Sequence, residues 1–225
     1  MVKVILAGGT GLIGGATLQR LIDHPDVTSI VALSRRELPI KNAKVQTVIV
    51  KDFLKYDAEA LAQLEGAKAA IWALGKPTSG KDVHEGFTLA AIEQISTAVV
   101  AKQEPTSTFN FVYTSGSAVE PDQNKTLFFI GGVRKMRGAL QTKVVDYKQP
   151  EAVGGGQWKS YVVRPAFVTT GVPFWAAIPG AAAHNTPKEE LAATMVKLAL
   201  EGAATQVFDN AEICQIGKEA LKTKA

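Results

Sequence analysis

The chain has 225 residues, 46% of them hydrophobic and 20% charged, with a formal net charge of +4. This balance excludes a disordered or fibrous chain, and a domain of this length buries roughly 70% of its unfolded surface. The charge is mild and spread along the sequence, which suits small anionic ligands without implying a nucleic-acid surface. The single cysteine, Cys214, excludes an internal disulfide; it reads as a small core residue in a reducing compartment.

The opening "MVKVILAGG" is expected to be a strand rather than an export signal, because glycines stand where a small-residue cleavage site would be. No run approaches the roughly 18 apolar residues of a membrane span, so a cytoplasmic location is expected. In chain order, "VKVILA" (2–7) precedes a helix with an apolar stripe of Leu18, Leu21 and Ile22. "SIVALS" (29–34) follows after "DHPD", completing a first βαβ unit. "VQTVIV" (45–50), "AAIWALG" (69–75) and "FNFVYTSGS" (109–117) are further apolar runs, the pattern of strands covered on both faces in a parallel sheet. Between the last two, residues 82–102 carry Phe87, Ala91, Ile95 and Val99 at helical spacing. Val133, Met136, Leu140 and Val144 mark the next helix, and "YVVRPAFV" (161–168) a sixth strand. Residues 169–185 have no regular period. A last helix then opens with Thr186 as N-cap, Pro187 at the first helical position and Glu189 closing a capping box, and stops at Gly202. The alternation predicts a Rossmann-like α/β fold. It has a doubly wound parallel sheet with helices on both faces, in one domain over 1–225, and a substrate lid and C-terminal elements over about 169–225.

Between the first strand and helix, Gly8, Gly11 and Gly14 form a G-x-x-G-x-x-G pattern. Such glycines allow a tight turn, close approach of a pyrophosphate and helix-on-strand packing, while the helix start offers free N–H groups to phosphate. Gly8, Thr10, Gly11, Leu12 and Ile13 are therefore expected to hold a dinucleotide. At the end of the second strand stand Ser34, Arg35 and Arg36 with no acid among them. An NAD site places a carboxylate there for the ribose 2′-hydroxyl, whereas guanidinium groups suit a 2′-phosphate, so NADP(H) is expected over NAD(H). Asp52 is a candidate acceptor for the adenine amino group, and Leu74 and Gly75 are candidates to line a ribose.

The stretches "GGTGLIG", "ALSRRELP", "ALG", "VYTSGSA", "RKMRGALQ" and "VVRPAFV", spread over roughly residues 1–170, resemble the atypical short-chain dehydrogenases. Within these the likeness is to the Tat-interacting-protein oxidoreductase family and its NmrA-like and fungal mitochondrial relatives. The resemblance implies a Rossmann fold, NADP(H) binding, and reduction of a carbonyl or double bond. In that superfamily a Ser and a Tyr-x-x-x-Lys pair polarise and protonate the substrate carbonyl. Ser115, or Ser117, matches the Ser; aligning "RKMRGALQ" puts Arg137 at the Lys position and Val133 at the Tyr position. None of Tyr56, Tyr113, Tyr147 and Tyr161 has a Lys four residues on, so no register restores the pair. An arginine can hold a ribose or phosphate oxygen but shuttles no protons.

Substitute acids are then Lys135, Lys76 and His84, each with a plainer alternative as a solvated or capping side chain. Phe174, Trp175 and Ile178, in the aperiodic segment from Gly171 to Ala183, together with Ser117, are candidates to contact a hydrophobic substrate. The leading expectation is an NADP(H)-dependent reductase of an apolar carbonyl or imine compound. A non-redox isomerase, dehydratase or cyclase on the same scaffold, or a nucleotide-sensing protein, remains the alternative. The expected partner is a hydrophobic small molecule, with a homodimer left open, and neither nucleic acid, metal nor membrane span is expected.

Overall fold

A computed structural model describes residues 1–75, 80–151, 154–171 and 184–222. Seven strands form one parallel sheet: β1 (Val2–Ala7), β2 (Val27–Ser34), β3 (Val45–Ile49), β4 (Ala69–Trp72), β5 (Thr108–Thr114), β6 (Gln157–Arg164) and β9 (Val207–Asp209), in the order β3-β2-β1-β4-β5-β6-β9. β1 lies inside the sheet, with Val4 opposite Ile30 on one side and Ala69 on the other. The chain winds outward from β1 through β2 and β3, then returns to its other side through β4, β5 and β6. The direction therefore reverses between β1 and β4, and in such sheets ligands bind outside the carboxyl ends of the strands at that reversal.

Both faces are covered, which explains the unbroken apolar runs. Ile5, Leu33, Trp72, Phe111 and Tyr113 face α2 (Ala58–Leu64), α3 (Phe87–Ala98) and α4 (Gly131–Val145), through Leu64, Ile95, Leu140 and Val144. Val4, Leu6, Ile30, Ile71 and Val163 face α1 (Leu12–Asp23), α5 (Lys188–Glu201) and α6 (Asn210–Lys222), through Leu18, Leu21, Leu191, Met195 and Ile213. These side chains are almost wholly buried, and each contributes about 1.5–3 kcal/mol relative to exposure.

Several sequence expectations are corrected. The sixth strand ends at Arg164, not at residue 168, because Pro165 has no N–H for the ladder. Residues Phe167–Thr169 instead form β7, paired in parallel with β8 (Asn185–Pro187) as a separate two-stranded sheet. The capping box of α5 does not form. Helix begins at Lys188, and the Thr186 hydroxyl is engaged elsewhere, accepting from the Ala166 N–H at 2.9 Å and donating to Asn210 Oδ1. The helix expected over 82–102 starts as a π-helical turn (Asp82–Gly86) and ends in a 3-10 turn (Val100–Lys102) around α3. Cys214 is half-buried rather than core, with its thiol pushed up to about 11 by burial and by the neighbouring Glu190.

Candidate functional site

The β1–α1 elbow is built from backbone. Gly8 has φ +89°, and a Cβ on it would lie 2.3 Å from the Ala73 carbonyl oxygen at the exit of β4. A Cβ on Gly14 would lie 2.1 Å from the Gly8 oxygen, so the helix can approach the strand only with glycine there. The Gly11 N–H closes the turn onto the Gly8 carbonyl at 2.9 Å. Gly11 caps α1 without a side-chain hydrogen bond, and no acid stands in the first turn. The N–H groups of that turn, which include Leu12 and Ile13, therefore face the elbow uncapped, at the positive end of the helix dipole.

The elbow opens into a cleft of about 430 Å³. Among the expected cofactor residues, Gly8, Thr10, Ser34, Arg35, Arg36 and Leu74 line it together. Gly9, an extra small position of the glycine pattern, lines it as well, as do Leu33 and Phe53, which were not singled out from sequence, although Phe53 directly follows the Asp52 that was. Phe53 borders the cleft while almost wholly buried, with its ring edge-on to Tyr56 and Trp72. Arg35 and Arg36 are exposed, and none of the described ion pairs engages them. The Arg36 N–H donates to Ser34 Oγ at 3.3 Å, which shapes the turn after β2. Asp52 is exposed and accepts the Leu54 N–H at 2.8 Å. Gly75, with φ +108°, follows Leu74 at the exit of β4.

The second constellation lies between β5 and α4. Val133, Arg137 and Gln141 are spaced four apart and so fall on one stripe of α4. Ser115, just past β5, is buried; its hydroxyl donates to Gln141 Oε1 at 2.9 Å, and its carbonyl accepts from Arg137 Nη2 at 3.3 Å. Arg137 Nε is buried with no hydrogen-bond partner. Val133, farther out on the stripe, is 40% exposed. Ser115 and Arg137 are thus brought together, and Lys135 is not brought to them. Its ammonium donates to the Gln123 carbonyl at 2.8 Å while Gln123 Nε2 returns a bond to the Lys135 carbonyl. Ser117 is exposed, its N–H bonded to the Pro165 carbonyl at 2.9 Å. His84 is buried rather than on the surface, its imidazole lying against Gly75. Lys76, Phe174, Trp175 and Ile178 lie outside the described residues.

Of the four tyrosines, Tyr56, Tyr113 and Tyr161 are buried, and Tyr147, two residues after α4, is partly covered. Tyr161 is core, its hydroxyl donating to the Ala203 carbonyl, and Tyr56 is buried without a partner. Tyr113, two residues before Ser115, is buried beside Arg137; burial pushes its phenol up to about 12, against the opposing pull of the guanidinium. Burial of this kind favours the neutral form.

An apolar rim borders α4. Phe128, Phe129 and Ile130, immediately before the helix, are 102%, 74% and 54% exposed, and Phe167 on β7 is 72% exposed. Ile130 has φ +42°, a left-handed conformation that a β-branched residue adopts only under constraint. Among the described residues no helix is long and apolar enough to cross a membrane.

No family model matches the chain. Leucinostatins biosynthesis cluster protein T of Purpureocillium lilacinum is 32% identical over 113 residues, covering 49% of this chain and 42% of that protein. Protein FMP52, mitochondrial, of Meyerozyma guilliermondii is 27% identical over 152 residues, covering 67% and 62%. The chain thus matches less than two thirds of the length of either relative. Among solved structures, the oxidoreductase ylbE from Lactococcus lactis superposes with a TM-score of 0.67 at 16% identity, covering 100% of this chain and 99% of that one. The shared fold is the Rossmann-like α/β arrangement expected from the sequence.

Proposed function

We propose that this protein binds NADP(H) and reduces an apolar carbonyl or imine compound. The observation that carries the reading is the pair Arg35 and Arg36, without ion-pair partners among the described residues, at the mouth of a glycine-walled cleft whose strand β2 ends without an acid. The cleft fits the group: the space that a Cβ on Gly8 or Gly14 would need is taken by backbone, and the start of α1 lacks a side-chain cap. Gly8 to Ile13 would hold the diphosphate, Arg35 and Arg36 the 2′-phosphate, and Phe53 the adenine. When bound, the nicotinamide supplies a hydride. Names of similar proteins, the oxidoreductase from Lactococcus lactis among them, agree with an enzyme of this kind.

The chain's own residues do the rest. Arg137 offers a fixed cation toward a developing oxyanion. The Ser115 proton is committed to Gln141, so toward a ligand its oxygen accepts. An iminium substrate, already electrophilic, needs no acid at the position that Val133 fills. Apolar Val133, Ile130 and Phe129 beside this face suit a hydrophobic substrate body. Val133 also favours the second reading, a non-redox isomerase, dehydratase or cyclase in which positioning supplies the rate.

Calorimetric titration with NADPH and NADH tests the first step. NADPH is expected to bind at least about tenfold tighter, the worth of one or two charge-assisted hydrogen bonds. Equal or tighter binding of NADH would overturn the assignment. Incubation with apolar ketones, aldehydes and imines then separates the readings: loss of nicotinamide absorbance supports reduction, whereas product without that loss supports the non-redox enzyme.

A further inference from the structure

The π-helical turn Asp82–Gly86 sets His84 in an unusual place. Such turns are rare and concentrate at functional sites, since an i→i+5 turn is held less well than an α-turn. Here the turn directs His84 inward until it is 4% exposed, with the imidazole close against Gly75 at the exit of β4. A Cβ on Gly75 would stand 3.0 Å from its Cε1 and 3.2 Å from its Nδ1. Gly75 is held at φ +108°, so its backbone has the conformation and the closeness that only glycine supplies. The next residue of the same turn reaches the opposite way. Glu85 pairs with Lys143 of α4 at 2.5 Å and with Lys81 at 3.5 Å, and those cations hold its carboxyl below the usual carboxylate range. One turn therefore braces the exit of β4 against the helix that carries Arg137 and Gln141.

The topology says which part of a dinucleotide meets that exit. Arg35 and Arg36 lie on the β2 side of the elbow, and β4 and β5 lie on the other side of β1. A dinucleotide anchored by its 2′-phosphate at the arginines and by its diphosphate at the elbow continues toward the ends of β4 and β5. We propose that His84 is a positioning residue for the nicotinamide half of the coenzyme: it fixes the Gly75 backbone against which that half is held, and it acts through Gly75. This rests on the dinucleotide reading above.

The test compares two probes. Adenosine 2′,5′-bisphosphate reaches the arginines and the elbow but not the exit of β4, whereas NADPH spans both halves. His84→Ala is expected to leave the affinity for the bisphosphate within about twofold and to weaken NADPH about five- to tenfold, the loss of roughly one good contact. The change in NADPH fluorescence on binding should shrink with it, and His84→Gln should restore most of both. Gly75→Ala, which brings a methyl against the imidazole, should give the same selective loss and serves if His84→Ala does not fold. Unchanged NADPH affinity in these variants overturns the proposal, as does equal weakening of both probes, which marks a merely structural residue. If the unaltered protein binds neither probe, the dinucleotide reading itself fails and takes the proposal with it. If it binds the bisphosphate but gains nothing from the nicotinamide half, only the His84 proposal falls.

Discussion

The elbow between β1 and α1 and the face between β5 and α4 are made of different materials. At the elbow the working surface is backbone, and the neighbours of Gly8 and Gly14 are themselves backbone atoms, so a side chain cannot be accommodated by a rotamer change. Between β5 and α4 the working surface is side chain, drawn from Ser115, Val133, Arg137 and Gln141 on two elements. A surface of the first kind admits almost no substitution without loss of the fold. One of the second kind can change its chemistry while the stripe of α4 and the end of β5 stay where they are. The difference separates an elbow that must keep its glycines from a face whose chemistry is free to vary.

The largest expected effect breaks the elbow. Gly14→Ala should destabilise the protein by about 3 kcal/mol, because the new methyl overlaps the Gly8 carbonyl. That corresponds to a fall in Tm of about 6–12 °C for a chain of this size, together with loss of NADPH binding. A thermal melt within a degree or two of the unaltered protein would show that the helix can back away from the strand. Next, Val133→Tyr places a phenol one turn from Arg137 on an exposed part of the stripe. If the β5–α4 face keeps the geometry for protonation, NADPH-dependent turnover of apolar ketones should rise about 10²-fold, the low end of general acid catalysis. An unchanged rate would mean that this face has departed from that chemistry in shape as well as in composition. Smaller again, Arg36→Asp should weaken NADPH more than about tenfold while NADH changes by no more than about threefold. A parallel loss of both nucleotides would assign Arg36 to the diphosphate instead of the 2′-phosphate.

Much of the sheet could be read directly. The inner strands show as apolar runs because helices cover both faces, whereas β3, at the edge of the sheet, keeps Gln46 and Ile49 exposed and was legible only by its β-branched residues. β9 and α2 were not legible. The three residues of β9 become a strand only because β6 presents a free edge at Val162 to Arg164. The short α2 is capped by Asp57, whose carboxylate accepts the Ala60 N–H at 2.8 Å, and its apolar stripe of Ala60, Leu61 and Leu64 is too short to stand out in the sequence. α6 does carry a signal in the sequence, Ile213, Ile216 and Gly217 at helical spacing, that was passed over; Ile213 enters the core, and at Gly217 a Cβ would meet the Glu190 carbonyl of α5 at 2.2 Å. The cap of α5 misled: Thr186 has the right residue type at the right spacing, but its hydroxyl bonds to residues from 20 and 24 positions away.

The amino-acid sequence alone determined the parallel sheet, the glycine elbow after β1 and the arginines after β2. All three depend on residues that are neighbours in the chain or recur with a short period, and the forces behind them are local. Tertiary structure alone decided that the Ser115 hydroxyl is given to Gln141, that Lys135 turns to the Gln123 carbonyl, and that His84 is pressed against Gly75 by a π-turn. Each is a contact between side chain and distant segment, fixed by how helices settle on the sheet, and no periodicity in the chain encodes where a rotamer finds its partner.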